Sequence, residues 1–128
     1  MRRTMSHKSP DELTAKMLRQ SLYVIRTSPA RGPGIAEKLA EHLEYQVSLE
    51  RAGTMFGAGP IYDEGQEIPS GGMIIVRAEN YDEARKIADA DPFHSSKLRR
   101  YTIEKWLLNE GSMTITVRFS DQSAIIHT

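Results

Sequence analysis

Two prolines and two glycines fall within Ser28-Pro29-Ala30-Arg31-Gly32-Pro33-Gly34, a combination that no regular element tolerates. One element must therefore stop before this loop and another must start after it. Before it, Leu22-Tyr23-Val24-Ile25-Arg26-Thr27 is a compact run of β-formers and predicts a first strand. After it, Ile35, Leu39, Leu43 and Val47 recur at helical spacing until Ala52-Gly53, a glycine exit. The chain thus opens its regular part with a strand handed on to a long amphipathic helix.

The remainder continues the alternation. Thr54 to Tyr62 reads as a second strand, weakened or bulged at its glycines. Asp63 to Gly71 is a polar turn region, and Gly72 to Ala78 a third strand. Asn80 caps a second helix, with Glu83 completing a capping-box-like pair and Tyr81, Ala84, Ile87 and Ala88 on its buried face. That helix ends near Asp91, because Pro92 disfavours helical geometry in the residue before it and forces an extended segment. Arg99 to Leu108 reads as a fourth strand and Met113 to Phe119 as a fifth. The order predicts an α+β, ferredoxin-like βαββαβ fold with an extra C-terminal strand, an antiparallel sheet carrying both helices on one face. Strands one and three are apolar on both parities, so the opposite face needs cover. A second copy of the chain supplies it most economically, as a closed two-sheet dimer. The expected boundaries are an N-terminal extension over 1–20, a domain over 21–120 and a tail over 121–128. Within the extension, Met1 to Pro10 reads as a disordered lead-in. A short helix starts at Ser9-Pro10-Asp11-Glu12, with Leu13, Met17 and Leu18 on one face.

Totals narrow the function. The 128 residues hold 17 basic and 17 acidic side chains, so no global field favours nucleic acid or membrane. The absence of cysteine removes disulfides, thiolate nucleophiles and Cys-based metal sites. No apolar run approaches the ~20 residues of a membrane span, and the start lacks a signal-peptide core. A soluble, cytoplasmic protein is expected. RNA recognition on this topology needs exposed aromatics on the central strands, whereas strand three offers only Met73, Ile74, Ile75 and Val76.

Two residues stand out as candidate chemistry. His42 lies on the inward side of the first helix, between Ile35 and Leu49, with Gln46 one turn later on the same face. Asp91 sits where the second helix stops, in restricted backbone, although a carboxylate is unfavourable beside the negative end of a helix dipole. A carboxylate hydrogen-bonded to one imidazole nitrogen fixes the tautomer and raises the basicity of the other, the orienter–base arrangement of acid/base catalysis. The bland alternative makes His42 a satisfied core residue of a structural dimer. Metal binding through His42, His94, Asp89 and Asp91 lacks any short ligand pair. Gly57-Ala58-Gly59-Pro60 opens no helix and reads as a tight backbone approach lining a pocket. Arg99-Arg100 and Trp106 read as strand packing and surface charge, with one arginine free to meet an anionic ligand.

Leu22-Tyr23-Val24-Ile25, Glu41-His42-Leu43, Gly57-Ala58-Gly59-Pro60 and Ala88-Asp89-Ala90-Asp91-Pro92-Phe93 together resemble the YciI-like (YCII-related domain) family of the dimeric α+β barrel superfamily. The resemblance runs from about Leu22 to Leu108. It implies a ferredoxin-like homodimer with a His–Asp dyad in a small cleft, by position His42 and Asp91. Superfamily members include muconolactone isomerases and a chlorohydroxyhydroquinone dehydrochlorinase, which handle small ring compounds without a cofactor. The expectation is a cofactor-independent isomerase or lyase acting on a small cyclic or aromatic metabolite. Its site comprises His42 and Asp91 as catalytic pair, with Tyr23, Gly57, Gly59, Pro60 and His94 as substrate contacts and no metal. A non-catalytic ligand-binding or regulatory dimer is the alternative.

Overall fold

The computed structural model describes residues 7–128, and the first part of the expected lead-in, residues 1–6, lies outside them. Elements follow in the order α1 (Pro10–Thr14), β1 (Gln20–Thr27), α2 (Ile35–Arg51), β2 (Met55–Ile61), β3 (Gly71–Val76), α3 (Tyr81–Asp89), α4 (Pro92–Ser95), β4 (Tyr101–Leu108), β5 (Thr114–Arg118) and β6 (Ser123–His127). They divide into two compact units. One is Ser21–Leu107; the other joins the segment up to Gln20 with Leu108–Thr128.

In the first unit the strands lie in the order β2-β3-β1-β4, the antiparallel α+β sheet that the alternation predicts. Tyr23 stands opposite Val76 and Ile25 opposite Ile74. These four share one sheet face and form the core with Ala84 and Ala88 of α3. The Tyr45 hydroxyl donates to the Ile87 carbonyl at 2.6 Å, tying α2 to α3. Between Met55 and Gly57 the β2 register shifts, the bulge expected at its glycines.

Two expectations change in this unit. The stripe chosen for its periodicity is not the buried side of α2: Leu39, Leu43 and Val47 are 44, 52 and 43 % exposed. Leu49 is the buried residue of the helix, and His42, Tyr45 and Gln46 on its side are half-buried, so the helix is turned with its polar residues inward. The far sheet face is not bare either. Leu22 and Val24 are buried, and Phe56 meets Trp106 edge-to-face at 6.2 Å, with the Arg77 guanidinium over the Phe56 ring at 5.6 Å. Aromatic side chains from both edge strands reach over the middle.

The second unit holds α1 and a hairpin. Ser9 caps α1 in a full capping box with Glu12, as the Ser-Pro-Asp-Glu start predicts. Residues 121–128 are no tail: β6 pairs antiparallel with β5, Ile115 opposite Ile126 and Val117 opposite Ala124. The reversal is local, with Gln122 at φ 57° and the Asp121 carboxylate accepting from the Ser123 amide at 3.0 Å. These strands form their own two-stranded sheet. No helix of the described residues is long and apolar enough to cross a membrane.

At one end of their pairing β1 and β3 leave no room for a side chain. A Cβ at Gly71 would overlap the Thr27 backbone carbonyl oxygen, whereas a Cβ at Gly57 would meet nothing within 4 Å. Gly71→Ala should therefore cost about 1–3 kcal/mol in urea unfolding, as overpacking against main chain does. Gly57→Ala should be neutral or stabilising by up to ~1 kcal/mol.

Candidate active site

Asp91 anchors the site, and its local backbone explains why. Pro92 holds the preceding residue extended, at φ −65° and ψ 127°, and then serves as the first residue of α4. Asp91 is thus the N-cap of a new helical turn, its Oδ1 accepting from the Phe93 amide at 2.9 Å. This corrects the expected extended segment. It also removes the dipole objection, since a carboxylate is favourable at the start of a helix.

Three side chains complete the carboxylate. His42 Nδ1 lies 2.8 Å from Oδ2 and 3.0 Å from Oδ1. Gln46 Nε2 donates to Oδ2 at 3.0 Å and Arg99 Nη2 donates to it at 3.2 Å. Asp91 is 1 % exposed. Burial alone would push its pKa up, but the His42 and Phe93 hydrogen bonds and the charges facing it from His42 and Arg99 bring it below the ordinary value. The group is held ionised, as an acceptor for Nδ1–H. The His42 ring stacks on Phe93 with centroids 4.4 Å apart and planes at 20°. Nε2 has no partner among the described residues and is not a buried unpartnered atom, so it is the nitrogen left for a ligand.

His42 lines a cleft of about 590 Å³ that runs from α2 to the start of β3. Its polar end holds His42, Gln46 and Arg99; Leu43, Met55, Pro60, Ile68 and Met73 supply apolar walls. The stripe residues Leu43 and Val47 therefore border the cleft rather than the core. Gln46 Oε1 is buried without a hydrogen-bond partner at this end.

The other expected contacts divide. Gly59 and Pro60 line the cleft, and Gly57 does not. Tyr23 is 4 % exposed in the core, its ring edge-on to Tyr81 at 5.0 Å, and does not line the cleft; its parity in β1 turns it toward α3. His94 is also buried away from the cleft. Its Nδ1 donates to the Ala88 carbonyl at 2.7 Å and its Nε2 accepts from Arg99 Nε at 2.8 Å, so it steers the guanidinium. Asp89 receives the Tyr101 hydroxyl, and burial with this bond pushes Tyr101 up to about 12. Among the described residues no group of three His, Cys, Asp or Glu is placed to hold a metal ion. Arg99, which the sequence reading did not separate from Arg100, is the arginine that joins this cluster.

The YCII-related domain model matches residues 16–107, most of the chain. The chain belongs to the YCII-related domain family. Among solved structures, the chain is similar to 5-chloro-2-hydroxyhydroquinone dehydrochlorinase (TftG) from Burkholderia phenoliruptrix AC1100, in complex with 2,5-dihydroxybenzoquinone. That protein is 25 % identical, with a TM-score of 0.54 over 66 % of this chain and 92 % of its own. No curated protein sequence matches the chain.

Burial lowers the His94 pKa, and the Arg99 charge adds to this against the opposing pull of the Ala88 carbonyl. On acidification the unfolded chain therefore takes up this proton first. The neutral ring's contribution is complete above the ordinary value of 6.5 and is lost as pH falls toward the folded value. Urea unfolding should show lower stability at pH 5.5 than at pH 7.5, and His94→Gln should flatten that difference (roughly one pH unit either side of an unperturbed histidine).

Proposed function

We propose that this protein is an acid/base enzyme, working without a cofactor, on a small hydroxylated ring compound. One observation carries the reading: an imidazole whose Nδ1 is 2.8 Å from a buried carboxylate, with Nε2 unpartnered and the residue lining a cleft. His42 Nε2 takes a proton from the substrate, and Asp91 keeps the ring in the Nδ1–H tautomer and stabilises the imidazolium formed. Isomerisation then returns that proton to another atom of the same molecule. Elimination instead releases the leaving group with its bonding pair, a net loss of HCl where that group is chloride. The neighbour named as a chlorohydroxyhydroquinone dehydrochlorinase supports the second chemistry, and the apolar cleft walls suit a flat ring.

The test is chloride release from 5-chloro-2-hydroxyhydroquinone, with deuterium uptake from D₂O by hydroxylated rings as the readout for isomerisation. His42→Asn should lower turnover by about 10²–10⁴-fold with the fold retained. Turnover that survives this substitution refutes the proposal, and ring binding by a wild-type protein that never turns over assigns a ligand-binding module instead.

The same proposal includes a homodimer. The α2 stripe leaves Leu39, Leu43 and Val47 exposed, and the β5–β6 hairpin exposes Ile115, Val117 and Ile126 by 55, 59 and 61 %. A two-stranded hairpin is marginal in water without cover, and a second copy buries such surface by symmetry. Light scattering at micromolar concentration should give twice the 14.4 kDa chain mass; a monomeric mass removes the dimer from the proposal.

A further inference from the structure

Arg99 borders two cavities. One is the cleft of His42; the other is a depression of about 360 Å³ between the loop after β1 and the loop before β4. The two share Ser28, Pro29 and Arg99, so they adjoin at these residues. The depression is lined by Arg31, Lys97, Arg99 and Arg100 with no carboxylate, in a chain whose charges otherwise balance at 17 each. Arg31, Lys97 and Arg100 make no side-chain hydrogen bond or ion pair among the described residues.

The site is built rather than incidental. The Arg99 side chain is 10 % exposed, its Nε fixed by His94 and one Nη2–H by Asp91, which leaves the Nη1 donors unpartnered. The loops forming the walls are pinned to each other. The Ser28 amide donates to the Arg100 carbonyl at 2.9 Å, the Arg31 amide to the Leu98 carbonyl at 2.8 Å, and the Arg100 amide to Ser28 Oγ at 3.0 Å. Asp91 already faces the guanidinium, so one positive charge is balanced and the three outer cations remain as an uncompensated field.

We infer that the substrate carries an anionic arm, which enters this basic depression past Arg99 while its ring occupies the cleft beside His42. The inference rests on the proposed seating of a ring in that cleft and adds the charge class of the molecule. A guanidinium at the junction meets the arm with charge-assisted hydrogen bonds, and the outer cations draw it in.

Equilibrium binding of 2,5-dihydroxybenzoate and of its methyl ester to the full chain tests this without needing turnover. The wild type should favour the carboxylate by roughly 10-fold or more at low salt, the scale of one charge-assisted hydrogen bond. High salt should shrink the preference. The triple variant Arg31→Gln/Lys97→Gln/Arg100→Gln changes only exposed side chains; it should cut the preference by about threefold and flatten its salt dependence at unchanged ester affinity, Arg99 holding the remainder. Lys86→Gln on α3 is the charge control and should leave the preference intact. A wild type that does not prefer the carboxylate, or a triple variant whose preference and salt dependence match the wild type's, overturns the inference. His42→Asn should keep the preference while lowering turnover as above, so failure of the anion site and failure of the proton-transfer reading are separately visible.

Discussion

Everything around the cleft depends on one buried carboxylate. A charge removed from water costs several kcal/mol unless its lone pairs are met, so Asp91 folds only where donors converge on it. They come from three segments: His42 and Gln46 on α2, the Phe93 amide at the start of α4, and Arg99 before β4. Their meeting fixes the angle of α2 against α4, the tautomer of His42 and the orientation of Arg99 together. Removing any one donor leaves the others holding an undersatisfied ion, which is why such a cluster acts as a unit.

Much of this was legible in the sequence because local rules decide it. The Pro/Gly loop at Ser28–Gly34, the Asn80 and Ser9 caps and the Pro92 boundary each fix backbone within a few residues, and each stands where expected. What was misread depends on rotation or on distance. Periodicity shows that α2 is amphipathic but not which way it is turned, and satisfying Asp91 wins over burying Leu39 and Leu43. Tyr23 belongs to a strand apolar on both parities, so sequence could not say which face it serves. The β5–β6 hairpin hinges on an ordinary-looking Asp121-Gln122 turn with no glycine to mark it. Arg99 acquires its role only when His94 and Asp91, eight residues or fewer away, are folded around it.

The polar arrangement also separates two histidines that composition treats alike. His42 has one nitrogen engaged and one unpartnered, whereas both nitrogens of His94 are spent, one on Ala88 and one on Arg99. The first can exchange a proton with a ligand. The second is a spacer, whose neutrality keeps an acceptor available for a guanidinium.

The contact between Gly71 and the Thr27 carbonyl bears on how such a cleft diverges among relatives. At Gly71 main chain lies against the Thr27 main chain, and at Gly72 it faces the Thr27 hydroxyl, so a side chain added at either glycine of this floor is crowded by β1. The shape of the cleft changes more readily elsewhere, in the α2 wall and in the Ile68-Pro69 rim. The floor resists substitution, and the opposite wall is where side chains can reshape the cleft.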